Sequence, residues 1–364
     1  MRLGVAAALV EGRLVPGDVE VVDGRVARHG LASPNGRGIA TAGFLDLQVN
    51  GFAGVDFLDA DRAGYERAAE ALLVTGVTAF LPTFITAPEP HLIGALHEVP
   101  VGSDGAARIL GVHLEGPFLS PARLGVHPAE ARRDPDVDYL GRLLDAGPVR
   151  LVTLAPELPG AHALVELLLR REIVISCGHS DATAEQADAV FDLGARTVTH
   201  LFNAMGPFHH RDPGIAGAAL ARRDVVVQVI LDGVHIAPVT AQLVWRAAAG
   251  RVALVTDAMA GAGLGDGTYR LGGLEVRVGD GITQGPGGAL AGSTLTMIEA
   301  VRNLHSLGAP LEDALAAATA VPARVLRLPN VGRLEVGLPA DIVVLSDELE
   351  VERVLVEGRA RVVG

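Results

Sequence analysis

Four side chains able to do chemistry each close a short apolar run: Glu115 in "VHLEGP", His179 in "SCGHSD", His200 in "VTHLFN" and Asp257 in "LVTDAM". Two neutral imidazoles and a carboxylate suit a divalent ion of the zinc type and leave a fourth position for water. Such an ion can lower the pKa of water to about 7, which makes a nucleophile available at neutral pH. The chemistry still needs a group that takes a proton and later returns one. Asp257 is the carboxylate placed for both steps. Taken singly, each side chain has an ordinary structural use, and a lone histidine is most often hydrogen-bonded or exposed. As a set at the ends of separate runs they read as an active site.

Those runs belong to a longer series. Eight of them, "GFLDLQV", "VTAFLPT", "RILGVHL", "VRLVTLA", "IVISCG", "RTVTHL", "VVVQVIL" and "RVALVTD", alternate with helical stretches such as "DRAGYERAAEALLVTG" and "GAHALVELLLRRE". Eight β-then-α units predict an α/β fold, a (β/α)8 TIM-like barrel. Catalytic groups in that architecture gather at the C-terminal strand ends. In order, the residues there are Gln48 with Asn50, Thr83, His113 with Glu115, Glu157, His179, His200, His235 and Asp257. His113 shares a strand face with Glu115 by alternation and reads as a packed, hydrogen-bonded residue or a partner of Glu115. A doubly wound open sheet is the structural alternative. It would carry a Gly-rich phosphate loop after the first strand, whereas "GAGLGDG" follows the last and has no good dinucleotide fingerprint.

Both chain ends have a different texture. Residues 1–40 and the tail from 330 are short β-prone runs cut by Gly, Pro and Asp-Gly or Glu-Gly turns, and "VEVVDGRVA" near the start rhymes with "VLVEGRARV" near the end. Such runs suit antiparallel strands and hairpins. We expect residues 1–40 and 330–364 to build one small β domain and residues 41–329 to form the barrel. "GDGITQGPGGALAGST" reads as a turn followed by a binding loop.

Composition narrows the function classes. A chain of 364 residues with 49% hydrophobic content can bury a large core. A net charge of -13 argues against a nucleic-acid partner, which calls for a basic face. An anionic substrate must therefore meet a local cluster of cations. No apolar run approaches the roughly 20 residues that span a bilayer, and "VAAALV" is too short for a signal peptide, so a cytoplasmic location is expected. The single Cys177 rules out an intrachain disulfide and reads as a small buried hydrophobe.

A family resemblance now enters. "GFLDLQVNGFAGVDF", "GVHLEGPFLSPARLGVHP", "CGHSDAT", "THLFNAMGPFHHRDPGIAGAAL", "LDGVHIAP", "VTDAMAGAG" and "LAGSTLTM" resemble, in order, the motifs of the N-acetylglucosamine-6-phosphate deacetylases of the amidohydrolase superfamily. The likeness runs from about residue 41 to the end, where "VGRLEVGLPADIVVL" resembles a widely shared closing β segment. The resemblance implies a metal-dependent barrel with a small β domain from both termini. It also implies hydrolysis of the acetamide of N-acetylglucosamine 6-phosphate by a metal-activated water. On the matching positions, Glu115, His179 and His200 would hold the metal, Asp257 would act as general base and then acid, and His127 would stabilise the oxyanion. Substrate would meet Val126, Asn203, Ala204, Arg211 and His235, with Ala291, Gly292 and Ser293 on the other side of the pocket. Arg211 would grip the phosphate by its planar fork, while Asp212 would brace that arginine or the turn. His209 and His210 have no assigned role. Family members are homo-oligomers, so a dimer or tetramer is implied, with part of the phosphate clamp coming from the neighbouring subunit.

One departure bears on the cofactor. Two-metal members of the superfamily usually carry a histidine pair after the first strand, where this chain has Gln48-Val49-Asn50. Amides are poor ligands for a catalytic transition metal, so one divalent ion per active site is expected. Zn²⁺ is the default, and Fe²⁺, Co²⁺ and Mn²⁺ fit the same donors. The alternatives are a related phosphorylated N-acetyl amino sugar such as N-acetylgalactosamine 6-phosphate, a cyclic amide, and a decayed barrel kept as a scaffold. The "HHRDPG" loop weakens the cyclic amide, and the intact ligand and proton-transfer set weakens the scaffold.

Overall fold

The computed structural model describes residues 1–102 and 105–362. Eight parallel strands follow one another around the barrel: β1 (Phe44–Val49), β2 (Val77–Ile85), β3 (Val112–Glu115), β4 (Val149–Leu154), β5 (Val174–Cys177), β6 (Thr197–Val198), β7 (Val226–Val229) and β8 (Val252–Leu254). Each is hydrogen-bonded to the next in chain order. Every residue of β1 and β2 is buried, as expected for parallel strands covered on both faces. All eight apolar runs of the sequence contain a barrel strand.

Helices return the chain between strands, and local chemistry sets where several begin. Asp61 caps Arg62–Val74 by accepting the Gly64 N–H, and Asp136 caps Val137–Ala146 through Tyr139. Thr183 and Gln186 form a reciprocal capping box at the start of Ala184–Leu193. Glu89–Glu98, Ala161–Arg170, Gly214–Ala221, Pro238–Ala247 and Met297–Ser306 complete the ring.

The chain ends meet in a separate six-stranded sheet. Its order is Arg13–Pro16, Ala7–Val10, Ile39–Ala42, Ile342–Leu345, Val351–Val356 and Arg359–Val362. The central contact is long-range: Ile39–Ala42 runs antiparallel to Ile342–Leu345, with Thr41 opposite Val343. Leu3, Val5, Val19, Val26, Ile342 and Leu355 belong to the small core of this unit. Beside the sheet, Asp18–Val22 and Arg25–Leu31 form a separate antiparallel pair, and the hairpins of the chain ends turn at Glu11-Gly12, Asp23-Gly24 and Glu357-Gly358, with both residues of each pair at positive φ. That geometry matches the twist of two-residue hairpins and explains the repeated X-Gly signals.

One element was not anticipated. Between β8 and Met297–Ser306 lies an antiparallel sheet of Gly267–Leu271, Leu274–Gly279 and Ile282–Gln284. Within the stretch read as turn and loop, Ile282–Gln284 is a strand. The sheet buries Leu271, Val276 and Val278 against Ile85, Met259 and Ala291, which roofs one side of the barrel mouth.

Candidate active site

Of the strand-end polar groups, Asn50, Glu115, His179, His200, His235 and Asp257 line one cavity of about 280 Å³ at the mouth of the barrel, while Gln48, Thr83, His113 and Glu157 do not. Glu115 ends β3, while His179 and His200 lie two residues beyond β5 and β6. Their donor atoms converge. Glu115 Oε1 lies 3.1 Å from His179 Nε2 and 2.9 Å from His200 Nε2, and the two nitrogens are 3.1 Å apart. All three residues are buried. His179 Nδ1 donates to the Arg123 carbonyl at 2.9 Å, which leaves the Nε2 lone pair facing the centre. His200 Nδ1 is buried and has no hydrogen-bond partner among the described residues. Two imidazole nitrogens and a carboxylate oxygen aimed at one point are a donor set that fits a divalent cation. Among the described residues no other cluster of three such groups occurs.

Both histidines sit at positive φ, 48° for His179 and 29° for His200, and Asp257 is at 51°. Residues with a Cβ adopt this region at a cost of about 1–3 kcal/mol and stay there when their surroundings hold them. Glu157 holds the His179 loop by accepting the Ser180 hydroxyl at 2.8 Å and the Asp181 N–H at 2.7 Å. Leu201 N–H donates to Gln228 O at 2.8 Å beside His200.

Asp257 faces the same cavity. Its Oδ1 accepts Gln48 Nε2 at 3.0 Å and Asn50 Nδ2 at 2.6 Å. Gln48 Nε2 also reaches Glu115 Oε1 at 3.2 Å. The amides of Gln48 and Asn50 therefore hold the carboxylate by one oxygen, and no described residue hydrogen-bonds Oδ2. Burial and the nearby Glu115 charge push Asp257 up to about 6. For Glu115 itself, burial acts upward, but the hydrogen bonds of His179 and His200 outweigh it and hold the carboxyl well below the usual range.

His127 presents a donor to the cavity. Its Nδ1 accepts the Thr86 N–H at 3.2 Å, which places the ring proton on Nε2, 3.7 Å from Glu115 Oε2. Burial, with His179 close by, lowers its pKa to about 3, so the ring is neutral and offers an N–H. His113 is packed beneath the site. Its Nε2 accepts from Thr153 Oγ1 at 2.7 Å, its Nδ1 donates to Leu47 O at 3.2 Å, and burial lowers it to about 4.

Val126, Asn203, Ala204, His235 and Gly292 also line the cavity. His235 Nδ1 donates to Asp232 Oδ2 at 2.7 Å, and Asp232 Oδ1 accepts the N–H groups of Val234 and His235. This orienting aspartate was missed at the sequence level, although Asp three residues before His in "DGVH" is the signal of such a turn. Thr86, Gln48 and Asn50 were likewise not read as partners of His127 and Asp257. Arg211, Ala291 and Ser293 do not line the cavity. Arg211 is exposed, with Nη1 2.8 Å from His210 Nε2. Asp212 closes its turn through paired backbone hydrogen bonds with His209. Ala291 packs under the roofing sheet, and the Ser293 hydroxyl donates to Thr256 O at 2.6 Å. Apolar walls come from Ile85, Ile230, Leu271 and Leu290.

Comparison with known proteins places this geometry. The model of the amidohydrolase family matches residues 39–361. The chain is 41% identical to the human N-acetylglucosamine-6-phosphate deacetylase over 88% of its own length and 82% of that protein. It is 37% identical to the N-acetylgalactosamine-6-phosphate deacetylase of Escherichia coli O157:H7, covering 87% of this chain and 86% of the relative. Among solved structures it resembles a mutant N-acetyl-D-glucosamine-6-phosphate deacetylase from Mycobacterium smegmatis in complex with N-acetyl-D-glucosamine-6-phosphate. The TM-score is 0.91 at 36% identity, covering 98% of this chain and 97% of that one.

Proposed function

Because the chain belongs to the amidohydrolase family, we propose that it hydrolyses the acetamide of N-acetylglucosamine 6-phosphate to glucosamine 6-phosphate and acetate. It is a hydrolytic enzyme. The observation that carries the hydrolytic reading is the meeting of three groups in one cavity: a metal-type donor triad, a carboxylate held by a single oxygen, and an inward-facing imidazole N–H. The substrate reading draws on the relatives that bear the sugar phosphate in their names.

A divalent cation held by Glu115, His179 and His200, with Zn²⁺ as default and Fe²⁺, Co²⁺ or Mn²⁺ compatible, would supply Lewis-acid polarisation of water and of the amide carbonyl. Asp257 takes a proton from the attacking water as its oxygen bonds to the carbonyl carbon. As the C–N bond breaks, Asp257 returns that proton to the leaving nitrogen, so the amine departs neutral. Gln48 and Asn50 keep Oδ1 engaged, which directs Oδ2 to both transfers. His127 Nε2–H donates to the carbonyl oxygen as negative charge develops on it. Asn203, His235 and the backbone of Val126 and Ala204 hold the sugar. Ala291, Gly292 and Ser293 shape the opposite side, and exposed Arg211 is the cation offered to the phosphate.

We assign residues 1–40 and 330–364 to the small β domain and 41–329 to the barrel. A phosphorylated substrate and a single cysteine suit a cytoplasmic enzyme. The exposed position of Arg211 suits a homo-oligomer, a dimer or tetramer, in which a neighbouring subunit completes the phosphate clamp. Among the described residues no helix is long and apolar enough to cross a membrane.

The galactosamine epimer is a second reading, since one relative bears that name. Acetate release from the two phosphorylated epimers and from unphosphorylated N-acetylglucosamine tests both. The glucosamine form should give the highest kcat/KM and the sugar without phosphate the lowest. Faster turnover of the galactosamine form would transfer the assignment to it, and no acetate from any of them would overturn the reading. Metal analysis of the active protein should find one tightly bound ion per chain.

A further inference from the structure

Among the described residues the barrel is laddered between successive strands, and β8 has no regular ladder with β1. The gap is bridged just past the strand ends. Asp257 N–H donates to Gln48 O at 2.9 Å and Asn50 N–H to Ala258 O at 2.7 Å, beside an isolated parallel bridge between Val49 and Ala258. Asp46 lies in this seam with 0% exposure. Its carboxylate takes up the amide groups that a ladder would have used. Oδ1 accepts the N–H of Gln48 at 3.2 Å and of Thr256 at 3.3 Å, and Oδ2 accepts the Thr256 hydroxyl at 2.6 Å. Among the described residues no cation is paired with it. Burying an acidic group without a cation is costly compared with an apolar side chain of similar size, and here burial pushes the carboxyl up to about 7. Packing alone gives no reason for such a residue at this position.

Thr256 passes the constraint onward. Its hydroxyl accepts the Ala258 N–H at 3.1 Å, and its carbonyl accepts the Ser293 hydroxyl. Ser293 N–H in turn donates to Asp257 O at 2.8 Å. Thr256, before Asp257, is thus tied to the Asp46 carboxylate, and Ala258, after it, to the Thr256 hydroxyl. Gly292 allows Ser293 to come this close, because a Cβ at Gly292 would lie 2.9 Å from Asp257 O. Asp257 is held in its left-handed conformation from both sides.

We propose that Asp46, acting through Thr256, is a positioning residue that fixes the Asp257 carboxylate against Gln48 and Asn50 across the open seam of the barrel. This rests on Asp257 being the proton-transfer group of the hydrolysis proposed above. Misplacing such a group by about 1 Å can cost on the order of 100-fold in rate, and the triad that fits the cation draws on neither Asp46 nor Thr256.

The test uses the metal-loaded enzyme. Thr256→Val keeps the shape and removes the hydroxyl, and should lower kcat about 10- to 100-fold while KM and metal content stay at the wild-type level. Thr256→Ser restores the hydroxyl and should recover most of the loss. Asp46→Asn should lower kcat to a similar degree, and the double variant should be no worse than either single one, because both break the same link. Wild-type kcat in Thr256→Val overturns the proposal. So does a fall that tracks lost metal, a Thr256→Ser as poor as Thr256→Val, or losses that simply multiply in the double variant. A wild-type enzyme that releases no acetate would instead sink the assigned reaction, an outcome the same assay separates from these.

Discussion

Two buried aspartates, one in the hairpin of Asp18–Val22 and Arg25–Leu31 and one in the barrel seam, are treated in opposite ways. Asp18, 2% exposed, pairs with Arg2 at 2.8 Å and accepts the N–H groups of Gly4, Val5 and Val19. Burial would raise its carboxyl, but the Arg2 hydrogen bond and the backbone donors together hold it below the usual value. Asp46 has no cation partner among the described residues and stands near a second carboxylate, Asp257. The chain ends use their acid to tie Arg2, Gly4 and Val5 to the second hairpin. The barrel keeps its acid where it destabilises the charged state and fixes a working group. Both acids are buried, yet one is shifted down by its donors and the other up by its burial.

The largest expected effect breaks the functional side alone. Asp257→Asn should reduce deacetylation by about 10²–10⁴-fold with metal content retained and thermal stability not reduced. Activity assays, metal analysis and melting curves read all three. Near-normal turnover would remove Asp257 from its role.

A middle-sized effect should appear on the other side. Asp18→Ala leaves three backbone N–H groups without their acceptor and should cost about 2–3 kcal/mol of unfolding free energy in denaturant titrations. The kcat of the folded protein should not change. A lowered kcat with intact stability would mean that the two regions are coupled.

The smallest effect sharpens the contrast through pH. Asp46 has its pKa raised from 3.8 to about 7, so its contribution to stability is complete below the unfolded value and is lost as pH climbs through about 7. Asp18 is shifted down, so its contribution is present above 3.8 and is lost as pH falls through its lower folded value. Asp46→Asn cannot ionise and should therefore gain on wild type as pH rises from about 5 to about 8. Asp18→Asn should close its deficit only in acid. Parallel pH profiles for the two variants would erase the distinction.

Much of the architecture is written locally. Eight buried strands stand out because parallel strands covered on both faces become continuous apolar runs, as "VTAFLPTFI" does over its nine buried residues. The terminal hairpins stand out because Glu-Gly and Asp-Gly pairs satisfy two successive positive φ values. Gly267–Gln284 was harder to read, since the half-exposed strands of this small sheet resemble loop sequence when taken one at a time. Motif positions singled out Glu115, His179, His200 and Asp257. Gln48 stands out only as an amide at a strand end, Asp232 only as a turn signal, and the supporting partners Thr86 and Asp46 carry no mark at all.

By itself the sequence determined the order of elements, the turns and the residue types at each strand end, because these depend on neighbours a few positions away. It also determined that a metal-type donor set and a proton carrier were available. Only the tertiary structure decided that Gln48 and Asn50 grip one oxygen of Asp257, that His127 turns its N–H inward, and that Asp46 spans the unladdered seam. Those contacts join residues up to 210 positions apart, and at such separations orientation and hydrogen-bond partner are set by packing of the whole barrel, which local preference does not encode.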